Sequence, residues 1–423
     1  MTKTVAFITL GCKANRYDTG ALMALCPPGL MAIDLQGDAS EAADVYVINT
    51  CAVTGQSASQ CRQMVRRARK RNPGAQIIVT GCLAELTPEA LREAGADLVA
   101  GIADRARVAE WLGGAAPAGP VFRHPSGGVQ PRGRAVVKVQ DGCDRSCAYC
   151  AVRLARGRSR SVPAAAAEEE VAAVAAAGHA EVVLTGIHLG LWGRERRESL
   201  SDLLATLAAA PAMPERIRLS SLEPDELTDE LIALLARSPL FCPHLHLPLQ
   251  SGDADTLARM NRPYTPALFR ERVLAYLAAV PGAAVGLDVI AGFPGEAEAA
   301  HRRTVELIRE LPLAYLHVFP FSARPGTPAA AMAGLDAAEV KARARELREL
   351  GDEKRRGFMS GLVGRRLSVL AETAGEGLVS GTSAEYVRVR FAAGPEALRR
   401  IWPVRVRAAR AGGLEGDRED GDD

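Results

Sequence analysis

Three cysteines within eight residues constrain this chain more than any other feature of its sequence. In QDGCDRSCAYC, residues 140–150, the spacing is Cys143-x3-Cys147-x2-Cys150. Three thiolates occupy three corners of a [4Fe–4S] cube and leave one iron free to bind a small molecule. Zinc is the alternative, but a structural zinc takes four ligands, usually as two pairs. No second pair follows this motif closely in the sequence, so an iron–sulfur cluster is favoured.

Length and charge limit the classes of protein that this chain can belong to. It has 423 residues, nine cysteines and a formal net charge of +2. The length predicts two or three domains, and the near-neutral charge leaves any nucleic-acid binding to local patches. No apolar run reaches the ~20 residues of a membrane span, and the opening VAFITLG is too short for a signal peptide. We therefore expect a cytoplasmic protein whose cysteines are ligands or free thiols rather than disulfides.

Residues 1–114 alternate apolar strand segments with helical ones, which predicts a Rossmann-like parallel α/β domain. The strand segments TVAFITLGC, DVYVINTC and QIIVTGC each end in a cysteine, at Cys12, Cys51 and Cys82. Ligands gather beyond the carboxyl ends of parallel strands, so these thiols can converge on one point. One such cysteine alone is more often structural, but three equivalent positions favour an auxiliary cluster. Cys61, on the intervening helix, is better interpreted as an apolar filler than as a ligand.

The remainder of the chain predicts two more domains. Residues 115–134 are rich in Pro and Gly and predict a linker. Residues 135–360 contain six strand–helix units, which predict an open (β/α)6 barrel with its site at the carboxyl ends of the strands. Residues 361–413 alternate short strands with Gly turns and predict a small β-barrel, and residues 414–423 predict an acidic, disordered tail. Helices are expected over 56–71, 163–177, 298–310 and 335–360.

The cysteine motifs resemble those of a known enzyme family. The Cys143-x3-Cys147-x2-Cys150 spacing, just after the strand that opens the barrel and with Tyr149 beside it, resembles the radical S-adenosylmethionine family. With LGCKANRYD, INTCAVT and TGCLAE, the chain resembles the methylthiotransferases over about residues 3–410. That resemblance implies an N-terminal domain with an auxiliary cluster, a radical S-adenosylmethionine barrel and a C-terminal TRAM domain.

Short motifs point to one branch of that family. Lys13, Asn15 and Tyr17 resemble the branch that acts on threonylcarbamoyladenosine in tRNA. Two residues depart from the family pattern, because Ser146 stands where an aromatic is common and Arg153 where a proline is common. These departures affect the detail of the loop and not the binding of the cluster.

The resemblance also implies a reaction. One S-adenosylmethionine supplies a methyl group to a sulfur at the auxiliary cluster, and a second, at the other cluster, yields a 5′-deoxyadenosyl radical that takes hydrogen from C2 of the adenine. A general base could not remove this hydrogen, because an aromatic C–H has no useful acidity. The implied partners are the anticodon stem-loop of tRNA and a reducing donor such as flavodoxin or ferredoxin. The sequence shows no obvious acid–base dyad, and the resemblance places the radical chemistry at the clusters, so no catalytic side chain is assigned.

Later strand ends of the barrel are expected to hold S-adenosylmethionine if the resemblance is correct. LTGIHLG, SSLEP, HLPLQSG and DVIAGFPGE supply small and polar residues there, although glycines are also needed for the turns at a barrel rim. The cofactor-binding candidates are Tyr149, Gly186, Ser220, Glu223, Gln250, Ser251, Gly292 and Phe293.

Basic segments in all three predicted domains are candidates for RNA contact. They are helix 56–71, the loop 153–160 beside the cluster motif, and the C-terminal barrel. A single basic patch is more often a solvated face, but three on a near-neutral chain favour phosphate contacts. The RNA-binding candidates are Arg62, Arg66, Arg67, Arg156, Arg158, Arg160, Arg388 and Arg390.

Two other functions stay open on the sequence alone. The first is the same chemistry on isopentenyladenosine in tRNA. The second is a non-catalytic RNA-binding iron–sulfur protein, such as a redox sensor. Cleavage of S-adenosylmethionine by the reduced protein separates an enzyme from a binding module.

Overall fold

A computed structural model describes residues 3–27, 29–35, 39, 41–114 and 133–419. Of the predicted linker, all but residues 133 and 134 lie outside these ranges, as do residues 420–423 of the predicted tail. Within the described ranges, no helix has both the length and the apolar character needed to span a membrane.

The N-terminal domain is a parallel sheet with helices on its faces, as predicted. Its elements are β1 (Lys3–Thr9), α1 (Lys13–Ala24), β2 (Leu30–Asp34), β3 (Val45–Thr50), α2 (Gly55–Arg71), β4 (Gln76–Gly81), α3 (Cys82–Leu86), α4 (Pro88–Arg92), β5 (Leu98–Ala100) and α5 (Ala106–Trp111).

The strand order β2-β1-β3-β4-β5 brings the cysteine-bearing strand ends together. Every residue of β3, VYVINT, is buried, as expected for a parallel strand covered on both faces. β1, β3 and β4 are direct neighbours in the sheet, so their carboxyl ends lie side by side. The chain turns from β1 outward to β2 and then back to β3, and this reversal opens a crevice at that edge.

The central domain is an open barrel of alternating strands and helices. Its elements are β6 (Arg134–Lys138), β7 (Gln140–Asp141), α6 (Val152–Arg156), β8 (Arg160–Ser161), α7 (Ala164–Ala176), β9 (Glu181–Thr185), α8 (Leu200–Ala209), β10 (Arg216–Leu219), α9 (Asp229–Arg237), β11 (His244–His246), α10 (Ala254–Arg259), α11 (Pro266–Ala279), β12 (Ala284–Ala291), α12 (Glu298–Glu310), β13 (Tyr315–Pro320) and α13 (Ala337–Ser360).

The predicted barrel topology is confirmed in the described residues. Parallel pairing joins β6, β9 and β10 in one half, and β11, β12 and β13 in the other. A single bridge between Ile217 and Phe241 connects the halves, and the N–H of Cys242 donates to the carbonyl of Ile217 at 2.9 Å. No pairing between β6 and β13 appears among the described strands, so the barrel is open along that side. The helices α2, α7, α12 and α13 agree with the predicted bounds within two residues.

The C-terminal domain is the expected small β-barrel, closed in the order β14-β15-β16-β18-β17. Its strands are β14 (Arg366–Gly375), β15 (Leu378–Ser383), β16 (Arg388–Ala392), β17 (Ile401–Arg410) and β18 (Gly413–Arg418). Residues 414–418 were expected in a disordered acidic tail, and this is wrong. Leu414 is buried in the barrel core, and β18 pairs with both β16 and β17 to close the barrel.

A buried ion cluster attaches the C-terminal barrel to the central domain. Glu181 on β9 accepts from Arg216 Nε at 2.7 Å and from Arg218 Nε at 2.8 Å. The two arginines then reach across and donate to backbone carbonyls of the C-terminal barrel at Ser368, Thr382, Ser383 and Ala384. Burial alone would raise the pKa of Glu181, but the two arginines lower it to about 2.

Candidate active site between two cysteine trios

The loop after β7 holds the first cysteine trio. Gly142 has a φ of 76°, and a side chain there would lie 2.0 Å from the carbonyl oxygen of Arg158, so glycine is required at this turn. The next residue, Cys143, donates its N–H to the carbonyl of Gly157 at 3.0 Å, and Cys150 donates to Cys147 at 3.1 Å. These bonds shape the loop, in which Cys147 lies close enough to act on the charges of both Cys143 and Cys150.

The chemistry of the first trio fits an iron–sulfur cluster. Burial raises the pKa of Cys143 to about 11 and that of Cys150 to about 12, and the neighbouring Cys147 adds to both shifts. Such thiols stay protonated at neutral pH unless a metal replaces the proton. Three sulfur donors and no adjacent fourth match a [4Fe–4S] cube with one exchangeable iron.

Two basic side chains that the sequence analysis did not identify contact this trio. Arg262 Nη1 donates to Cys147 Sγ at 3.1 Å, and Arg262 also pairs with Glu223. His188 Nδ1 lies 3.2 Å from Cys143 Sγ, while its Nε2 lies 2.9 Å from Glu226. Hydrogen bonds to ligating sulfurs orient them and tune the potential of a cluster. His188 could have been found in LTGIHLG, a predicted strand end, whereas Arg262 follows a helix and carried no signal.

The second trio lies at the carboxyl edge of the N-terminal sheet. Cys12 caps α1 after β1, Cys51 follows β3, and Cys82 begins α3 after β4. Gly11 has a φ of 104°, and a Cβ there would lie 2.7 Å from Cys51 Cβ, so the first loop passes tightly over the second. Burial raises the pKa of Cys51 and of Cys82, and each of these thiols lies close enough to Cys12 for it to add to the shift. Cys12 is exposed, so one side of this trio is open.

Cys61 supports the second trio from beneath. Its Sγ accepts the N–H of Cys51 at 3.3 Å and donates to the carbonyl of Cys51 at 3.6 Å. The side chain is fully buried, and burial raises its pKa to about 12. These contacts agree with the filler interpretation and add a role in holding the Cys51 loop.

Arg156 was predicted to bind RNA, and the structure contradicts this prediction. Its side chain is fully buried between the N-terminal and central domains. Nε donates to Cys82 Sγ at 3.4 Å, Nη1 to Asp141 at 2.7 Å, and Nη2 to Asn15 at 2.5 Å. Nη2 also reaches Asp18 at 3.1 Å. The guanidinium therefore has partners on all sides and links the second trio to the loop that carries the first.

A small cavity of about 160 Å³ lies between the N-terminal and central domains, lined by residues next to Cys51 and by Tyr149, which stands between Cys147 and Cys150. Val53 and Thr54, just after Cys51, form one wall, and Tyr149 and Gln250 of the barrel form another. Phe293 supports Tyr149 edge-on, with ring centroids 6.5 Å apart. Asp288 is a further lining residue that the sequence analysis did not identify, because it lies within β12 and not at its end.

Of the other candidates for cofactor binding, one is free to contact a ligand and the others are held by packing inside the protein. Ser220 Oγ is buried and has no hydrogen-bond partner among the described residues, so it is available to a ligand. Ser251 is fully buried and lies 3.4 Å from Thr304 Oγ1, away from any opening. A Cβ on Gly292 would lie 2.6 Å from Val340 of α13, and one on Gly186 would lie 2.8 Å from Gln140 Oε1. Both glycines are thus required by packing.

The remaining RNA-binding candidates form separate surfaces. Arg66 and Arg67 are exposed on α2, Arg62 is half-buried there, and Arg158 is exposed after α6. Arg160 is half-buried and donates to the carbonyl of Arg156 at 3.1 Å. On the C-terminal barrel, β16 exposes Arg388 and Arg390, of which Arg388 donates to Ser380 at 2.7 Å.

Comparisons with known proteins agree with this architecture. Residues 4–101 match the Uncharacterized protein family UPF0004, and residues 137–308 match the Radical SAM superfamily. The threonylcarbamoyladenosine tRNA methylthiotransferase MtaB of Thermotoga maritima is 35% identical over 401 residues, which cover 92% of this chain and 91% of that protein. MtaB of Bacillus subtilis is 36% identical over 434 residues, 97% of this chain and 94% of that protein. The chain therefore belongs to the radical S-adenosylmethionine tRNA methylthiotransferases.

Two further relatives define the limits of this assignment. The tRNA-2-methylthio-N(6)-dimethylallyladenosine synthase of Cereibacter sphaeroides is 34% identical over 384 residues, 87% of each chain. Among solved structures, the radical S-adenosylmethionine methyltransferase TsrM from Kitasatospora setae has a TM-score of 0.58 at 17% identity, covering 90% of this chain and 81% of that chain. The second likeness shows the fold alone. Membership in the family implies [4Fe–4S] clusters and S-adenosylmethionine as cofactors, as predicted.

Proposed function

We propose that this chain adds a methylthio group to C2 of N6-threonylcarbamoyladenosine next to the anticodon of tRNA. The observation that supports this most strongly is the pair of cysteine trios linked across the domain boundary by Arg156, which donates both to Cys82 Sγ and to Asp141, just before the loop of the other trio. The names of the two MtaB relatives supply the nucleoside. The reaction calls for an electron donor, for which a flavodoxin or ferredoxin is suited, and for the reducing conditions of the cytoplasm.

Each trio would hold one [4Fe–4S] cluster, and when bound these clusters and S-adenosylmethionine would supply the radical, the sulfur and the methyl group. The protein contributes positioning. Arg262 and His188 hold the sulfurs of Cys147 and Cys143, and Arg156 holds that of Cys82. Tyr149 forms part of the cavity wall and is braced by Phe293, and the buried hydroxyl of Ser220, which has no partner among the described residues, offers a polar contact to the cofactor.

The test of this proposal is a reaction with defined tRNA. The anaerobically reconstituted chain is given tRNA carrying threonylcarbamoyladenosine or isopentenyladenosine, and the nucleosides are measured by mass spectrometry. We expect the methylthio product from the first RNA only. A product from the isopentenyl RNA alone would favour the second candidate function, which the Cereibacter relative supports. Release of no 5′-deoxyadenosine from either mixture would identify a binding module.

A triple variant separates the roles of the two trios. Cys12→Ala/Cys51→Ala/Cys82→Ala should lower the iron content from about eight to about four per chain, since each cube holds four irons. It should still release 5′-deoxyadenosine and form no methylthio product. Cys26→Ala is the matched control, because the thiol of this half-buried cysteine donates to the carbonyl of Leu22 and makes no other side-chain hydrogen bond in the described structure. Loss of 5′-deoxyadenosine in the triple variant would contradict separate roles.

A further inference from the structure

Arg324 is a buried arginine without a carboxylate partner in the described residues. It lies in the loop after β13, where its carbonyl accepts from Thr327 N at 3.1 Å and from Thr327 Oγ1 at 2.7 Å. This turn fixes the backbone. Only 7% of Arg324 is exposed, and its Nε is buried with no hydrogen-bond partner in the described structure. Burying part of a guanidinium without a hydrogen-bond partner is costly, unless an anion binds to it.

The surroundings of Arg324 make its positive charge still less favourable. A Cβ on Gly55, the first residue of α2, would lie 3.7 Å from Arg324 Nη1, so the guanidinium faces the N-terminus of that helix. Gly55 also donates its N–H to Ser322 Oγ at 2.9 Å, which fixes the loop against α2. The N-terminus of this 17-residue helix carries partial positive charge.

The pKa of Arg324 agrees with this geometry. Burial lowers it, the nearby Cys51 thiol raises it, and Arg62 on α2 lowers it, so that the net shift is downward. Arg324 thus meets the N-terminus of α2 at the domain boundary, and Arg62 lies close enough to act on its charge. Helix N-termini with adjacent arginines are common oxyanion sites in proteins.

The place where Arg324 meets the N-terminus of α2 indicates which oxyanion binds there. Thr54, which precedes Gly55, and Ser322, which lies two residues before Arg324, line the cavity between the N-terminal and central domains. In the other direction, α2 continues as a basic surface with Arg66 and Arg67 exposed. An RNA strand that lies along α2 and turns one base into the cavity would pass its backbone over Arg324.

We propose that Arg324, with Arg62 and the N-terminus of α2, binds an oxyanion of the RNA substrate, namely the phosphodiester next to the nucleotide that enters the cavity. The proposal rests on the proposed function in that it takes tRNA as the substrate. The same chemistry could come from the carboxylate of the threonylcarbamoyl group, and the experiment distinguishes these two sources.

The experiment measures binding of an anticodon stem-loop RNA to the reconstituted full chain at several salt concentrations. One RNA carries unmodified adenosine and the other carries threonylcarbamoyladenosine at the target position. Arg324→Gln should weaken binding of both RNAs by about three- to ten-fold and should reduce the slope of log affinity against log salt by about one. Arg324→Lys keeps the charge and should recover part of the loss. Arg302→Gln, an exposed arginine on α12, is the matched control and should change neither quantity.

The outcomes separate the alternatives. If only the threonylcarbamoyl RNA binds more weakly, the oxyanion is the carboxylate. Unchanged affinity for both RNAs overturns the proposal, and so does a loss of affinity that merely follows a loss of iron, which would make Arg324 a partner of the cluster. Iron content and thermal unfolding of each variant are therefore measured alongside. Failure of the proposed function would show separately, as a wild-type chain that binds RNA and forms no methylthio product.

Discussion

At the scale of single residues, Arg156 determines how the second trio is joined to the rest of the molecule. Burial alone would lower its pKa, but Asp141, Cys82 and Asp18 raise it well above the ordinary value. Removing this cation leaves two buried carboxylates with fewer partners, and such losses cost about 3–5 kcal/mol. We expect Arg156→Gln to lower the free energy of unfolding by about that amount, measured by urea unfolding of the reconstituted protein.

A neighbouring arginine provides the control for this prediction. Arg153 lies on the same short helix, α6, and is exposed. Arg153→Gln should change the free energy of unfolding by less than about 0.5 kcal/mol. Equal effects of the two variants would show that Arg156 acts through helix propensity or general charge and not through its buried partners.

The sequence suggested a role for residues that lie together in one loop. It did not indicate the role of a residue whose partners lie far away in the chain. Cys143, Cys147 and Cys150 were predicted as cluster ligands from their spacing and position after a strand, because all three come from one segment. Arg156 was misinterpreted, because Asn15 and Asp18, two of its partners, lie 141 and 138 positions away in the chain. In RLARGRSR the buried arginine and the exposed ones look alike.

At the scale of elements, the turn between β1 and α1 positions the second trio. Gly11 has a φ of 104°, and a Cβ there would approach Cys51 Cβ to 2.7 Å and Cys51 Sγ to 2.9 Å. Gly11→Ala should therefore displace Cys51 and lower the iron content from about eight to about four per chain. S-adenosylmethionine cleavage should persist, since the first trio is not touched. Iron quantitation and 5′-deoxyadenosine release check both statements.

Gly29 separates backbone strain from the clash with Cys51. It has a φ of 103°, close to that of Gly11, but a Cβ there meets no atom of the described structure within 4 Å. Gly29→Ala should carry a similar strain of about 1–2 kcal/mol and keep the full iron content. Equal loss of iron from both variants would show that backbone strain, and not the clash with Cys51, displaces the trio.

Periodicity predicted the elements well wherever apolar residues repeat clearly. The helix expected over 298–310 has those bounds in the structure, because its apolar face packs on the barrel. The strand at 413–418 was missed, because GLEGDR has few apolar residues and an acidic sequence follows it. Leu414 alone supplies its core contact, and strand pairing on both sides supplies the remaining stabilisation.

At the scale of the whole molecule, the sequence predicted the three domains but not how they are joined. Parallel sheet, open barrel and closed barrel each follow from local patterns. The junctions depend on buried charges: Arg156 and Lys138 both pair with Asp18 on one side, and Glu181 pairs with its two arginines on the other. Such residues are rare inside proteins and are stable only when paired, so the partner must be known before either can be interpreted.

The junction between the central domain and the C-terminal barrel, formed by Glu181 and its two arginines, leads to a prediction about pH. Arg216 and Arg218 lower the pKa of Glu181 to about 2, against an ordinary value of 4.5. A carboxylate with a depressed pKa stabilises the folded state above its ordinary pKa, and this contribution, about 3 kcal/mol, is lost as pH falls from about 4.5 toward 2. Glu181→Gln removes this stabilising contribution at every pH, because glutamine carries no charge. The variant should therefore unfold at lower urea than wild type at pH 7, and the difference should shrink at pH 3.5.

Glu310→Gln, at an exposed pair, should show no such difference. A gap between Glu181→Gln and wild type that is as large at pH 3.5 as at pH 7 would mean that the charge of Glu181 does not hold the C-terminal barrel in place.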